Sequence, residues 1–201
     1  NPLIFPEADA VISGGNFHGE PIAFVMDFLG IAMSELANIS ERRTNRLVDA
    51  ALSEGLPAFL IPSEQAGVSN GYMIAQYTAA ALVSENKILA HPASVDSIPT
   101  SANQEDHVSM GTIAARKATE IIKNVAAVLA IELLCATQGL DFRKPLKAGR
   151  GSLSAHDLIR KIVPFLNKDR ILYSDTENIL NCLVYNGKIV NEVEEKIGKL
   201  N

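Results

Sequence analysis

The chain has 201 residues and a formal net charge of −5, with 47% hydrophobic and 20% charged residues. This length and composition suit one domain, or one large piece of a bigger one. A mildly acidic balance, the absence of Trp and the lack of a basic stripe disfavour nucleic-acid binding.

No signal peptide and no uninterrupted apolar span of membrane length are recognisable, so the chain is expected to be soluble and cytoplasmic and to bind no membrane. The first residue is Asn1 rather than Met, and the run from Asn1 to Phe5 is typical of an apolar strand or a buried loop. We therefore expect a piece of a longer or processed protein. Loop or short-strand material continues to Asn16, because Gly14 and Gly15 break any helix.

A first long helix is predicted from Pro21, which suits a first-turn position, to Gly55, which suits a C-cap. At about 1.5 Å per residue such a helix is roughly 50 Å long, which implies a bundle of long helices. Its apolar residues recur at steps of three and four, the spacing of a packed seam; they are Ile22, Val25, Leu29, Ala32, Leu36 and Ile39.

A second helix is predicted over about 71–90, where several alanines allow close approach to neighbours. A third long helix is predicted from about His107 to Thr137, closed by Gly139. Its apolar stripe also follows three-four spacing; the stripe consists of Ala114, Ala118, Ile121, Val125 and Val128.

Three shorter helices are predicted to finish the chain, over about 154–166, from a capping box at 174–177 to Gly187, and over about 189–197. The basic cluster at 143–150 is interpreted as a solvated hinge. No segment alternates with a period of two, so the fold class is all-α, with strands minor. Residues 1–145 are expected to form the helical bundle and 146–201 a short-helix tail.

The two cysteines, Cys135 and Cys182, sit in apolar helical patterns and are expected to be buried thiols, not a disulfide or metal pair. No spacing of histidines is convincing for a metal site.

The densest polar run is SANQEDH, from Ser101 to His107, on the loop before the third helix. Two interpretations stay open for it. Glu105 or Asp106 caps the following helix, where carboxylates collect for electrostatic reasons. Alternatively, Glu105 faces a cleft and binds a cationic or hydrogen-bonding group of a substrate. His107 is an acid or base candidate, although a histidine at a helix start is more often structural.

A second run, SGGNFHGE from Ser13 to Glu20, precedes the first long helix. It is not a P-loop, because no Gly-Lys-Ser/Thr follows. Its glycines either form a turn into the helix or let backbone approach a ligand closely.

Together these segments resemble the aromatic amino acid ammonia-lyase family. The similarity is carried by GGNFHGEP at 14–21, after the Asn-Pro-Leu at 1–3, by SERR at 40–43, by SENK at 84–87 with HPASVDS at 91–97, and most specifically by SANQEDHVSMG at 101–111. It covers residues 1 to about 145. The resemblance implies a long-helix bundle like the aspartase/fumarase fold.

The run Gln104-Glu105-Asp106 resembles the branch of the family that acts on histidine, since phenylalanine and tyrosine lyases usually have Asn-Gln-Asp there. A carboxylate can pair with an imidazole ring, and a phenyl ring offers it nothing. Met73 stands where phenylalanine lyases tend to have a Lys, which also resembles the histidine branch. The resemblance thus implies elimination of ammonia from L-histidine to give urocanate.

The family's electrophile is methylidene-imidazolone (MIO), which forms from an internal Ala-Ser-Gly without an external cofactor, metal or nucleotide. No Ala-Ser-Gly occurs in these 201 residues, so the chain alone is expected to be inactive. By resemblance, Phe17 packs near the electrophile and substrate, and Glu105 is the carboxylate that handles the side chain or a proton. Met73 and Gln104 are weaker candidates for the substrate pocket.

The resemblance also implies a homotetramer in which long helices pack together and each active site draws on more than one subunit. We expect the apolar seams to pack both within the chain and between chains. Another MIO enzyme, such as a tyrosine or phenylalanine ammonia-lyase or an aminomutase, is the nearest alternative. A non-catalytic helical oligomerisation module is the alternative from a different class.

Overall fold

A computed structural model describes residues 2–15 and 17–199, so Asn1 and Asn16 of the two N-terminal motifs lie outside the described residues. Within those ranges the chain forms a small hairpin and six α-helices, which confirms the all-α prediction. The elements are β1 (Leu3–Phe5), β2 (Ala10–Ile12), α1 (Glu20–Val48), α2 (Met73–Leu89), α3 (Gly111–Phe142), α4 (Arg150–Arg160), α5 (Leu172–Ile179) and α6 (Lys188–Ile197).

The strand predicted at the start of the chain is confirmed, as the first strand of a hairpin. β1 and β2 pair antiparallel, with Leu3 opposite Ile12. The alternative of a buried loop is wrong, because the strand side chains are exposed, with Ile4 at 67% and Val11 at 68%.

The helices α1 and α3 run parallel to each other along their whole length. Gly30 of α1 faces Ile121 of α3, and further along Ser40 Oγ donates a hydrogen bond to Glu132 at 2.6 Å. Residue numbers therefore rise together on the two helices.

The helix α2 runs antiparallel to both. Near its beginning the Gln76 amide donates to Glu41 at 2.7 Å, and near its end Asn86 accepts from Asn124 at 2.9 Å. The start of α2 thus lies beside the C-terminal halves of α1 and α3.

Small residues, not the predicted seam, mediate the packing of α1. Ala23 and Ala37 are fully buried, and a Cβ on Gly30 would stand 3.1 Å from Ile121 Cδ1. The predicted seam is wrong as the face that packs within the chain, because all six of its residues are exposed. The close approach of the parallel α3 leaves room for small side chains only, so the large apolar ones point away from the bundle.

The predicted stripe of α3 is confirmed, since all five of its residues are at most 2% exposed. Its predicted bounds need correction, because α3 begins at Gly111 and continues past Gly139 to Phe142. A Cβ on Gly139 would lie 3.3 Å from Leu56 Cδ1. Gly139 therefore allows the loop after α1 to pack closely on α3. It does not mark the end of α3.

The short tail helices also depart from their predicted starts. α4 begins at Arg150, and the residues after it supply buried Val163 and Leu166 from a loop. The predicted capping box is wrong, because α5 begins at Leu172 and the Asp175 carboxylate accepts from Arg170 at 2.9 Å instead. A π-helical turn over Leu180–Val184 prolongs α5. The division of the chain after residue 145 stays a prediction.

A buried glutamine joins α3 to this tail. Gln138 is fully buried, and its amide donates to the carbonyls of Leu60 at 3.2 Å and Leu166 at 3.0 Å. Its carbonyl accepts from Arg160 at 2.9 Å and from the Leu166 N–H at 3.1 Å. All four bonding positions of the amide are used, so the site specifies a glutamine.

An ion cluster lies one turn further along α3. Asp141 accepts from Lys144 at 2.7 Å, Arg160 at 2.8 Å and His156 at 3.1 Å. Burial works to raise the pKa of Asp141, but these hydrogen bonds outweigh it and hold the pKa below its ordinary value.

One cysteine departs from expectation. Cys135 is buried in the core, and burial raises the pKa of its thiol well above the ordinary range. Cys182 is exposed on the π-helical turn, so its predicted burial is wrong.

Two helices, α1 and α3, each contain a stretch with mean hydropathy 1.6 that is long enough to cross a membrane. Charged residues interrupt both stretches, Asp27 and Glu35 in α1 and Glu132 in α3, so neither is the uninterrupted apolar span that the sequence was expected to lack. Of the stretch in α3, 56% is buried, as in the core helix of a water-soluble protein. In α1 only 22% is buried, which leaves an apolar face without a partner among the described residues.

Candidate functional site

The two most specific motifs meet at the N-terminal end of α1. His18 Nε2 donates to the backbone carbonyl of His107 at 2.7 Å, across 89 positions of sequence. On the other side of the ring, His18 Nδ1 accepts from the Glu20 N–H at 3.2 Å. A carbonyl can only accept and a backbone N–H can only donate, so the imidazole carries its proton on Nε2.

The two imidazole rings also stack. The ring centroids of His18 and His107 are 5.2 Å apart and the ring planes differ by 4°. Beside this pair, a Cβ on Gly19 would lie 2.7 Å from Ser109 Oγ. A side chain at this position would have to displace the Ser109 hydroxyl, so Gly19 lies in close contact with the loop before α3.

Glu105 lies at the end of a tight loop held by a pair of backbone hydrogen bonds. Thr100 N–H donates to the Glu105 carbonyl at 3.0 Å, and Glu105 N–H donates to the Thr100 carbonyl at 3.3 Å. Between them Ser101, Ala102 and Asn103 all have positive φ, from 51° to 68°. Left-handed backbone at three successive non-glycine residues is costly and is found mostly at functional sites.

The interpretation of Glu105 or Asp106 as a helix cap is wrong. α3 begins later, at Gly111, and its N-cap residue Met110 makes no side-chain capping bond. The Glu105 side chain is exposed, and within residues 2–15 and 17–199 its carboxylate has no hydrogen-bond or ion-pair partner. Gln104, beside it on the same loop, is exposed as well.

Phe17 also lies open at this end of the bundle. Its ring is 65% exposed and stands 6.5 Å from the ring of His18. An exposed aromatic ring and an exposed carboxylate therefore flank the His18–His107 contact, each on its own segment.

A buried carboxylate anchors the far side of the same loop. Asp27 of α1 is 4% exposed and accepts from the Ser94 N–H at 2.8 Å, with Lys117 Nζ of α3 at 3.6 Å. Burial works to raise the pKa of Asp27, and the Ser94 and Lys117 interactions outweigh it and lower that pKa. Lys117 also donates to the His91 carbonyl. The start of the segment between α2 and α3 is thus tied to both long parallel helices.

Met73, the other pocket candidate, lies at the opposite end of the bundle. It is the first residue of α2, one turn before the Gln76 side chain that contacts Glu41. The stretch of α1 from Glu20 to Glu41 spans roughly 30 Å at about 1.5 Å per residue. A single chain therefore places the segments of Phe17, Gln104 and Glu105 at the same end of the bundle, through the His18–His107 contact, and Met73 at the other end.

Sequence reasoning missed the residues that support this site. His18 and Asp27 were not singled out as supporting the loop, although His18 lies inside the most glycine-rich motif. Glu20 was also missed, and its buried Oε2 atom has no hydrogen-bond partner among the residues that the structure describes. A histidine flanked by an aromatic residue and a glycine was the available signal. No group of three His, Cys, Asp or Glu that could hold a metal occurs in the described part of the chain.

The sequence profile of the family described as aromatic amino acid lyase matches residues 1–161. The histidine ammonia-lyase of Natranaerobius thermophilus is 60% identical over 200 residues, which are 100% of this chain and 39% of that protein. The chain thus spans about two fifths of the length of such relatives.

Solved structures share the fold. The crystal structure of histidine ammonia-lyase from Trypanosoma cruzi matches with a TM-score of 0.90 and 48% identity, over 98% of this chain and 38% of that one. The tyrosine aminomutase from Streptomyces globisporus matches with a TM-score of 0.89 and 37% identity, over 98% of this chain and 37% of that one. The profile match over four fifths of the sequence assigns the chain to the aromatic amino acid lyase family.

Proposed function

We propose that the chain is part of a histidine ammonia-lyase, which eliminates ammonia from L-histidine to give urocanate in histidine catabolism. One observation carries the proposal most directly. Glu105 presents an exposed carboxylate, without a partner among the described residues, on a strained loop that the His18–His107 contact joins to the segment of the exposed Phe17 ring.

The chemistry of Glu105 favours an imidazole side chain as its ligand. A carboxylate accepts a charge-assisted hydrogen bond from an imidazole N–H, and this bond is stronger when the ring is protonated. A phenyl or phenol ring places no comparable N–H at that position. Glu105 thus binds and orients the imidazole or holds a proton there, and Gln104 lines the same pocket.

The aromatic amino acid lyases use the MIO group, whose Ala-Ser-Gly precursor does not occur in these 201 residues. Once formed in the complete protein, the group would supply an electrophile for the elimination. The ring of Phe17 fits the role of packing against such a planar group and the substrate, since 65% of it is exposed. Because the chain does not contain the precursor of this group, it is expected to be inactive alone.

The complete site is proposed to combine several copies of the protein. Met73 lies roughly 30 Å along the bundle from Phe17 and Glu105, a distance that one substrate cannot span. Met73 of one copy therefore lines the pocket of Glu105 from another. The exposed apolar face of α1, which includes Phe28 at 67% and Ile22 at 55%, supports packing of this helix against other copies. We infer that the assembly is a homotetramer and that it is cytoplasmic, as the family resemblance implies.

Two alternatives predict different products. Similarity to a tyrosine aminomutase favours another MIO enzyme as the nearest alternative, with a tyrosine or phenylalanine substrate and, for a mutase, a β-amino acid product. A non-catalytic helical oligomerisation module predicts a stable oligomer and no turnover. Product analysis of the complete protein with histidine, tyrosine and phenylalanine separates these possibilities.

The variant Glu105→Gln tests the assigned role within the complete protein. Turnover of histidine is expected to fall strongly with folding intact, because the amide cannot replace a charged acceptor. Unchanged turnover would remove Glu105 from the site.

A further inference from the structure

We propose that His18 is a positioning residue, which sets the place of the Glu105 carboxylate relative to the Phe17 ring. This inference depends on the proposed function for its catalytic consequence. The contacts of His18 with His107 and Glu20 do not depend on which substrate the enzyme uses.

The hydrogen bond between His18 and His107 joins the segment of Phe17 to the segment of Glu105. It is one residue from Phe17, and its partner His107 is two residues from Glu105. The 2.7 Å bond from His18 Nε2 to the His107 carbonyl therefore links the two segments that carry the exposed groups. A shift of this contact moves the ring and the carboxylate relative to each other.

The tautomer of His18 is fixed by a second bond. Because Nδ1 accepts the Glu20 N–H at 3.2 Å, the proton is held on Nε2, where the His107 carbonyl needs a donor. Stacking of the two rings at 5.2 Å keeps the imidazole planes aligned. The start of α1 thus orients the histidine, and the histidine orients the loop.

The loop itself needs such a support. Its turn at 101–103 has left-handed backbone at three non-glycine residues, which relaxes unless the surroundings hold it. The Thr100–Glu105 pair closes the turn, and Ser97 Oγ accepts the Val108 N–H at 2.9 Å, but both contacts lie within the segment between α2 and α3. The bond from His18 instead ties this segment, at His107, to the residues that lead into α1.

Two isosteric replacements separate the loop contact from the helix contact. In His18→Gln the amide nitrogen reaches the position of Nε2, so the donor to the His107 carbonyl is kept. In His18→Asn the side chain is too short to reach that carbonyl, although it still reaches the Glu20 N–H. Both variants are polar and uncharged, so His18→Gln is the matched control for His18→Asn.

The experiment uses the complete lyase with L-histidine and a double-mutant cycle with Glu105→Gln. We expect His18→Asn to lower kcat/KM by about 10-fold to 100-fold, the range expected for a misplaced group. We expect His18→Gln to keep most of the wild-type kcat/KM. The unfolding midpoint and the oligomeric state should be the same in both variants. In the Glu105→Gln background His18→Asn should add little, because the carboxylate that it positions is gone. An equal loss with and without the carboxylate, or no loss at all, would overturn the positioning role.

Backbone amide hydrogen exchange over residues 98–110 provides a readout that needs no substrate. Exchange should be faster in His18→Asn than in wild type and unchanged in His18→Gln. If the wild-type enzyme does not convert histidine but the expected exchange differences are observed, the proposed function is wrong. The positioning role of His18 is then still supported. If exchange is the same in all three proteins, the inference is wrong whatever the substrate.

Discussion

Replacement of Gln138 by leucine tests the account of how α3 holds the C-terminal tail. The side chain is fully buried and uses both amide hydrogens and both carbonyl lone pairs in the bonds described above. Leucine has a similar volume but no polar atom. The substitution would therefore leave three buried backbone groups unsatisfied: the Leu60 carbonyl and both the N–H and the carbonyl of Leu166.

The size of the effect follows from those three groups. Each buried polar group that loses its partner costs about 1–3 kcal/mol. Allowing for gain from the more apolar side chain, the free energy of unfolding should fall by about 3 to 6 kcal/mol. With a urea m-value of about 2 kcal/mol/M, this loss lowers the unfolding midpoint by about 1.5 to 3 M.

Urea unfolding of the 201-residue chain, followed by far-UV circular dichroism, measures that shift. Thr119→Val serves as the control, since Thr119 lies exposed on the same helix and, among the described residues, its hydroxyl donates to the Ala115 carbonyl one turn before it and to no other group. The control should change the free energy of unfolding by no more than about 0.5 kcal/mol. A loss below about 1 kcal/mol for Gln138→Leu, with the m-value unchanged, would refute the reasoning.

The remaining predictions concern charge and exposure. In the complete enzyme Glu105→Gln should lower kcat/KM for histidine by about 10-fold to 100-fold, the equivalent of one charge-assisted hydrogen bond, while Asp106→Asn should have a smaller effect; equal effects would count against the assignment. In the folded 201-residue chain a thiol reagent should modify Cys182 quickly and Cys135 only after unfolding, so rapid reaction of two thiols would contradict the buried core. Because the pKa of Asp141 is lowered in the folded state, its stabilisation is present above the unfolded-state pKa and lost as pH falls through the folded-state pKa. Asp141→Asn should therefore destabilise the chain at neutral pH and cost less in acid; urea titrations at two pH values check this, and a difference independent of pH would disprove it.

The helices could be predicted from the sequence. The face of α1 that packs against α3 could not. Three-four spacing of Ile22, Val25 and Leu29 predicted a buried seam, and the structure leaves them exposed. The contact face is made by Ala23 and Gly30, because parallel helices at close range exclude large side chains. Periodicity finds an apolar face and does not say whether its partner is in the same chain.

The candidate site was only partly readable for a topological reason. Phe17 and Glu105 were singled out separately, and the His18–His107 contact that joins their segments spans 89 positions. Met73 was grouped with them by resemblance, although the antiparallel course of α2 places it at the other end of the bundle. Contacts between distant segments depend on helix direction, which local patterns do not encode.

The most direct test of the proposed function is urocanate formation from L-histidine by the complete protein that contains this chain, with the 201-residue chain assayed beside it. We expect urocanate and ammonia from the complete protein, and no turnover by the chain alone. A folded complete protein that leaves histidine untouched and instead converts tyrosine or phenylalanine would contradict the assignment of Glu105 to an imidazole substrate.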